Sequence, residues 1–161
     1  MLDAKEFCTF RLQDLLFGIE VSKVQEVLRH HAMTAVPLAP AVFSGLINLR
    51  GQIVTAVDLR RRLGLEARAA DVLPMNIVVR CEDGVVSLLV DEIGDVVEVS
   101  QEQFEPSPDT LQGEARQLID GVYKLKRGLL HLMNLQRVMR LQPGETAADG
   151  KQWEQSLPVT A

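Results

Sequence analysis

Along most of the chain, apolar and polar positions alternate with a period of two. FCTFRL (Phe7 to Leu12), LFGIEV (Leu16 to Val21), INLRGQIVTAV (Ile47 to Val57), NIVVRC (Asn76 to Cys81), VVSLLV (Val85 to Val90), DVVEV (Asp95 to Val99) and GVYKL (Gly121 to Leu125) read as short strands between turn residues. Such a series predicts a small barrel or sandwich. Helical spacing is confined to DLRRRLGL (Asp58 to Leu65) and MNLQRVMRL (Met133 to Leu141). Near the start of each, Asp58 or Asn134 can accept from a free helical N–H, and Gly64 can end the first helix. The pattern is that of a mainly β protein with short helices.

The pattern is also written twice. Displaced by 69 positions, Thr9 to Val27 overlays Val78 to Val96 without a gap, so that Arg11 meets Arg80, Val21 meets Val90, Val24 meets Ile93 and Glu26 meets Asp95. Displaced by 76, Gly45 to Leu63 overlays Gly121 to Met139, so that Gly45 meets Gly121, Leu49 meets Leu125, Arg50 meets Lys126 and Asp58 meets Asn134. Alternating strands resemble one another by chance, but two blocks in the same order point to internal duplication. The expected product is a single domain over 1–141 made of two similar barrels, roughly 10–70 and 76–141. A linker is expected near EARAADVLPM (Glu66 to Met75), and the N-terminal strand is the one element that could cross between barrels. A seam between two such units is a natural binding groove. From Gln142 to Ala161 the chain turns polar and reads as a tail.

Composition narrows the partners. The formal net charge is −5 and the sequence pI about 5.2, which argues against general affinity for a phosphate backbone or an anionic lipid surface. With only seven aromatic residues, of which Phe10 and Phe17 fall in the apolar phase of their strands, a base-stacking nucleic-acid barrel is disfavoured. The run Arg60-Arg61-Arg62 reads as a solvated or protein-contacting patch. No apolar run approaches the roughly 20 residues needed to span a bilayer, and MLDAKEF opens with acid and base, so a cytosolic protein is expected. Cys8 falls in phase with Phe10 and Leu12, and Cys81 with Ile77 and Val79, which predicts two reduced core thiols.

Reactive constellations are hard to find. Adjacent His30 and His31 point apart in either a strand or a helix, a poor arrangement for one metal, and His131 sits among leucines. Neither phosphate-loop spacing is present, and Ser44 lacks the surround of a nucleophile elbow. The acid pairs Glu82-Asp83 and Asp91-Glu92 lie at turns, where solvated charge is the ordinary explanation. No catalytic, cofactor-binding or metal-binding residue is expected, and a small hydrolase is disfavoured.

VSKVQEVL (Val21 to Leu28), followed by VPLAPAVFSGLINLRGQIVTAVDLRRRLG (Val36 to Gly64), resembles the CheW family of chemotaxis coupling proteins. The resemblance runs from about Phe7 through Leu141 and includes LLVDEIGDVVEV (Leu88 to Val99) and GLLHLMNLQRVM (Gly128 to Met139). It implies two five-stranded SH3-like β-barrel subdomains around a shared hydrophobic core. It also implies a non-enzymatic, cytoplasmic adaptor recruited to receptor arrays. The partners so implied are the regulatory domain of the histidine kinase CheA and the cytoplasmic tip of methyl-accepting chemoreceptors, with no nucleic acid and no direct membrane insertion. An adaptor of the same fold in another chemosensory pathway, for twitching motility or second-messenger control, is the alternative. Few residues flank the matched region, which leads to the expectation of a stand-alone coupling protein, neither the receiver-bearing CheV type nor the end of a kinase. Carried onto this chain, the binding region comprises Val24, Glu26, Gly45, Asn48, Leu49, Arg50 and Gly51, with Val90, Ile93 and Val96 from the second half. An Arg50–Glu26 bridge would shape the hairpin corner; the alternative is that Arg50 is a solvated charge at a hairpin tip, and that Val24 and Ile93 are plain core.

Overall fold

The computed structural model describes residues 5–38, 40, 42–82, 84–106, 113–126 and 128–140; the tail expected at 142–161, together with Leu141, lies outside them. In chain order the described elements are β1 (Lys5–Leu12), β2 (Leu15–Glu20), β3 (Val24–Leu28), β4 (Phe43–Leu49), β5 (Gln52–Asp58), α1 (Leu59–Arg62), β6 (Met75–Cys81), β7 (Gly84–Val90), β8 (Glu92–Val99), β9 (Phe104–Glu105), α2 (Glu114–Gln117), β10 (Ile119–Leu125), β11 (Gly128–Met133) and α3 (Leu135–Met139). Both expected caps form: Asp58 Oδ1 accepts from Arg60 N at 3.0 Å, and Asn134 Oδ1 from Arg137 N at 3.0 Å. Gly64, in the left-handed region at φ 71°, ends the turn after α1.

The strands form two sheets, ordered β8-β1-β2-β11-β10-β9 (sheet A) and β3-β6-β7-β5-β4 (sheet B). The duplication is visible in them element by element, since β1, β2 and β3 recur as β6, β7 and β8, and β4, β5 and α1 as β10, β11 and α3. Even the register repeats. Phe17 lies opposite His131 in the parallel pair β2–β11, and their counterparts Val86 and Thr55 lie opposite each other in β7–β5. A bulge between Cys8 and Phe10 in β1–β8 recurs between Val24 and Glu26 in β3–β6.

Sheets and repeats are nevertheless out of step by one hairpin. Sheet B is the continuous stretch β3 to β7, whereas sheet A joins β8 to β11 with the N-terminal hairpin β1–β2. The division at 10–70 and 76–141 is thus corrected, because strand pairing sends each half's first hairpin into the other half's sheet. The linker expected at Glu66 to Met75 is a loop within sheet B as far as Pro74, and Met75 opens β6. The chain passes between sheets at a 3-10 turn, Val21–Lys23, and at Asp91. Sheet A has six strands where five were expected, because β9 pairs with β10 through two residues; the corresponding contact in sheet B is the single bridge Thr34↔Leu46.

One apolar cluster draws on both sheets: Phe10, Leu12, Phe17 and Ile19 from β1–β2 meet Ile77, Val79, Leu88 and Val90 from β6–β7, along with residues of α1, α2 and α3. A smaller cluster lies in sheet B around Ile47, Val54 and Val78, and another in sheet A around Phe7, Tyr123 and Leu130. Phe10 and Phe17 stack at 5.7 Å between centroids. Cys8 corrects the strand-phase expectation: the bulge beside it shifts the phase, so Phe7 and Thr9 are buried while Cys8 is half-buried. Neither cysteine is in a disulfide, and burial raises the Cys8 pKa.

Truncating Phe10 to Ala, in a cluster shared by both sheets, is expected to cost about 3–5 kcal/mol. The loss should appear in one cooperative urea transition, followed by circular dichroism and by amide exchange in each sheet. Separate transitions for sheets A and B would contradict the shared core.

Candidate docking site

The turn between β4 and β5 is built by Arg50 and Gly51, both at positive φ, 51° and 87°. This is the pattern of a type I′ hairpin turn, which glycine adopts freely and arginine adopts at a cost. The Asn48 side chain offsets that cost by accepting from Gly51 N at 2.9 Å. Its backbone carbonyl lies 3.2 Å from His31 Nε2; a carbonyl can only accept, so that nitrogen carries the proton.

The corner also joins two edges. β3 and β4 are the outermost strands of sheet B, yet Arg50 Nη1 donates to Glu26 Oε1 at 3.1 Å and Nη2 to Oε2 at 2.8 Å. A fork-to-fork pair of this kind fixes orientation as well as distance, and here it holds the rolled sheet edge to edge. The hydrogen bond with Glu26, then its charge, raises the Arg50 pKa. The Arg50 side chain is 77% exposed and that of Glu26 20%, so the guanidinium offers its outer face to solvent. The bridge forms, and the reading of Arg50 as a merely solvated charge is set aside.

The remaining residues carried over from the resemblance separate by burial. Val24 and Ile93 are half-buried against the shared cluster and keep an outer face, while Val96 is 54% exposed. Val90 is fully buried in the shared cluster and Leu49 nearly so in that of sheet B. These two are corrected from contact residues to packing residues, since neither has surface to offer. Gly45 is buried as well: a Cβ there would sit 2.7 Å from the Thr34 carbonyl oxygen, so it lets the segment after β3 approach β4.

Sheet A shows what the same corner becomes without the bridge. Asp95 and Lys126 occupy the positions of Glu26 and Arg50, but among the described residues no ion pair joins them, and a cleft of about 880 Å³ opens there. Leu15, Leu16, Ile93, Val96 and Leu129 give it apolar walls, with Arg11, Asp95 and Lys126 beside them and His131 in its lining. His131 is buried, packs 5.4 Å from the Phe17 ring, and holds its Nδ1 at 2.8 Å from the Leu16 carbonyl.

Sequence reasoning missed the polar ties between the sheets. The arginine run is no patch: Arg62 is buried and donates to the Arg137, Val138 and Arg140 carbonyls at the end of α3, Arg60 binds Asp91, and only Arg61 is exposed. Asp91 is likewise no solvated charge. Burial pushes its pKa up, but hydrogen bonds from Arg60, from Gln13 N and from Arg68 outweigh burial and hold it below its ordinary value. Capping propensity and net charge carry no trace of these pairings; only the repeat hints at them, by placing Asp at 91 where Ser stands at 22.

Among the described residues no group of His, Cys, Asp or Glu could hold a metal, and no helix is long and apolar enough to cross a membrane. Two sheets sharing one core, with an ion-paired corner on one and an apolar cleft on the other, define a protein-docking module. The sequence model of the CheW-like domain matches residues 6–142, and the chain belongs to the CheW family. It is 33% identical over 143 residues to the chemotaxis protein CheW of Rhizobium meliloti (strain 1021), covering 89% of this chain and 92% of that protein. With the chemotaxis protein CheW of Klebsiella aerogenes it shares 30% over 135 residues, 84% of this chain and 81% of that protein. The crystal structure of the scaffolding protein TtCheW from Thermoanaerobacter tengcongensis matches with a TM-score of 0.78 at 25% identity, over 91% of this chain and 99% of that one. Each sheet is accordingly an SH3-like unit, as the sequence led one to expect.

Burial lowers the His131 pKa from 6.5, the bond to the Leu16 carbonyl acting the other way. The unfolded chain then takes up this proton at a higher pH than the folded one, so the stability His131 permits is present above its unfolded pKa and is lost as pH falls through the lower folded value. His131→Thr, the residue at the equivalent Thr55, is expected to flatten the change in urea midpoint between about pH 7 and about pH 5. An unchanged pH dependence in the variant would assign it to another group.

Proposed function

We propose that this chain is a non-enzymatic adaptor that couples the cytoplasmic tip of transmembrane chemoreceptors to the regulatory domain of the histidine kinase CheA, working at membrane-associated receptor arrays. Membership of the CheW family and the names of its chemotaxis relatives support the reading. The observation that carries it is the corner itself: a two-pronged Arg50–Glu26 bridge across the edges of sheet B, with Asn48 and Gly51 exposed beside it. Such a corner offers fixed shape and charge and no reactive pair.

The docking surface comprises Glu26, Asn48, Arg50 and Gly51 at the corner, Val24 and Ile93 at the seam, and Val96 in the cleft of sheet A. Gly45, Leu49 and Val90 act from behind it by holding the strands in place. A helical receptor tip laid along the seam would press apolar anchors onto Val24 and Ile93. Contacts of this size are individually weak, and an array makes them effective by engaging many at once.

Co-sedimentation with receptor and kinase fragments tests the assignment. Arg50→Glu and Val96→Asp are expected to keep the wild-type circular dichroism spectrum and to weaken binding about tenfold or more, as loss of a central contact residue does. The double variant Glu26→Arg/Arg50→Glu restores a bridge of reversed polarity. Recovery of binding would mean that the partner reads the corner's shape, and continued loss that it reads the charge of Arg50. Normal coupling by both single variants would remove these residues from the site.

A further inference from the structure

Among the described residues three polar ties fasten sheet A to sheet B, and they differ in kind. The first is Arg62, which binds α1 to the carbonyl end of α3. The other two occupy equivalent places in the repeat. On one flank Gln136 Nε2 donates to Glu82 Oε1 at 2.8 Å, an exposed single bond. On the other, where Arg60 and Gln13 are the counterparts of Gln136 and Glu82, the tie is an ion-paired hub centred on Asp91.

Four donors converge on that carboxylate. Arg60 reaches it through Nε, at 2.8 Å, and Nη2; Arg68 through Nε, at 3.0 Å; and the backbone N–H of Gln13, in the β1–β2 turn, at 2.8 Å. Asp91 N in turn donates to the Arg11 carbonyl at 3.1 Å. The carboxylate therefore binds, at one point, the helix and loop of sheet B to the turn of sheet A, with side-chain exposures of only 16% for Arg60, 7% for Arg68 and 15% for Asp91.

Asp91 is also one of the two places where the chain passes between sheets. The other, Val21–Lys23, has no buried residue, and Ser22, the counterpart of Asp91, is exposed. Apolar packing is non-directional and allows packed layers to slide by small amounts. Several hydrogen bonds to one planar carboxylate are directional, and they fix rotation as well as distance. The seam is therefore pinned on the side of Ile93, just after Asp91 in the chain, and is lightly held on the side where β3 begins with Val24.

We propose that Asp91, held by Arg60 and Arg68, is a positioning residue that sets the angle between the two sheets and so the spacing of Val24 and Ile93 presented to a docking helix. The inference rests on the reading of that seam as a docking surface, and it assigns control of the surface's shape to residues outside it.

Asp91→Ser, which gives this crossing the residue of its counterpart, tests the inference. Spin labels are attached to cysteines at exposed Gln25 in sheet B and Glu98 in sheet A, with Cys8 and Cys81 replaced by Ser and Ala, and the distance between them is measured by pulsed electron resonance. A chemoreceptor-tip fragment is titrated onto the unlabelled proteins in parallel. The expected result is a broadened distance distribution and binding weakened about five- to tenfold, the size of a typical coupling between sites. Val99→Ala, in the cluster confined to sheet A, serves as the control that lowers thermal stability without loosening the seam and should change neither readout. A wild-type distribution in Asp91→Ser, or the same broadening in Val99→Ala, overturns the clamp. Broadening with unchanged binding overturns the positioning role. If the wild-type protein itself binds no receptor tip, the docking reading fails and the positioning role with it, while the distances still decide whether Asp91 sets the angle.

Discussion

Neither sheet is complete without a hairpin from the other half of the repeat, and the rest of the molecule depends on that exchange. In each sheet the borrowed hairpin supplies two central strands, β1–β2 in sheet A and β6–β7 in sheet B, and these strands carry the large side chains of the shared cluster. A half-chain would leave open strand edges and an uncovered apolar face, and a unit of that size buries too little surface to fold comfortably alone. The parallel pairs β2–β11 and β5–β7 close the exchange. One core then serves two units, and a seam between them follows from the topology.

The core accounts for stability, and the polar ties account for geometry. Burying the side chains of the shared cluster is worth of the order of 1.5–3 kcal/mol for each large apolar residue, whereas exposed ion pairs contribute little because water and salt compete for both partners. The Arg50–Glu26 bridge is of the second kind and matters as shape. Arg62 differs from both. Its guanidinium is buried and satisfies three carbonyls at the end of a helix, groups that would otherwise need solvent. The Arg137 carbonyl also accepts from Arg140 N, and the guanidinium, meeting the helix end at several points, fixes α1 against α3.

Much of this was legible in the chain. Alternation located most strands, the two displacements gave the repeat, and Asp58, Asn134 and Gly64 marked the helix ends. β3 escaped because its polarity is inverted: Glu26 points inward to meet Arg50 while Val27 is 47% exposed, and the bulge between Val24 and Glu26 breaks the period. Partnership between sheets escaped because a period of two states which face of a strand is buried and not which strand lies beside it. The duplication fitted contiguous barrels and exchanged hairpins equally well, since both keep the repeat. Asp91 and the arginines escaped because a charge at a turn looks the same in sequence whether it faces water or a partner far along the chain.

Duplication alone would give two like corners, and the two corners of this fold differ. The divergence is small in sequence, Arg50 and Glu26 in one copy against Lys126 and Asp95 in the other, but its consequence is large. Arginine can grip a carboxylate with two parallel bonds, and lysine presents a single rotatable charge. With arginine the edges of sheet B are joined at the hairpin corner; with lysine the equivalent corner of sheet A stands open as an apolar cleft. A rigid polar corner and an open apolar groove favour different partners, the first by fixed charge and shape and the second by burial of hydrophobic anchors. The repeat thus presents two distinct faces at equivalent corners, while the matching strand pairs keep their register.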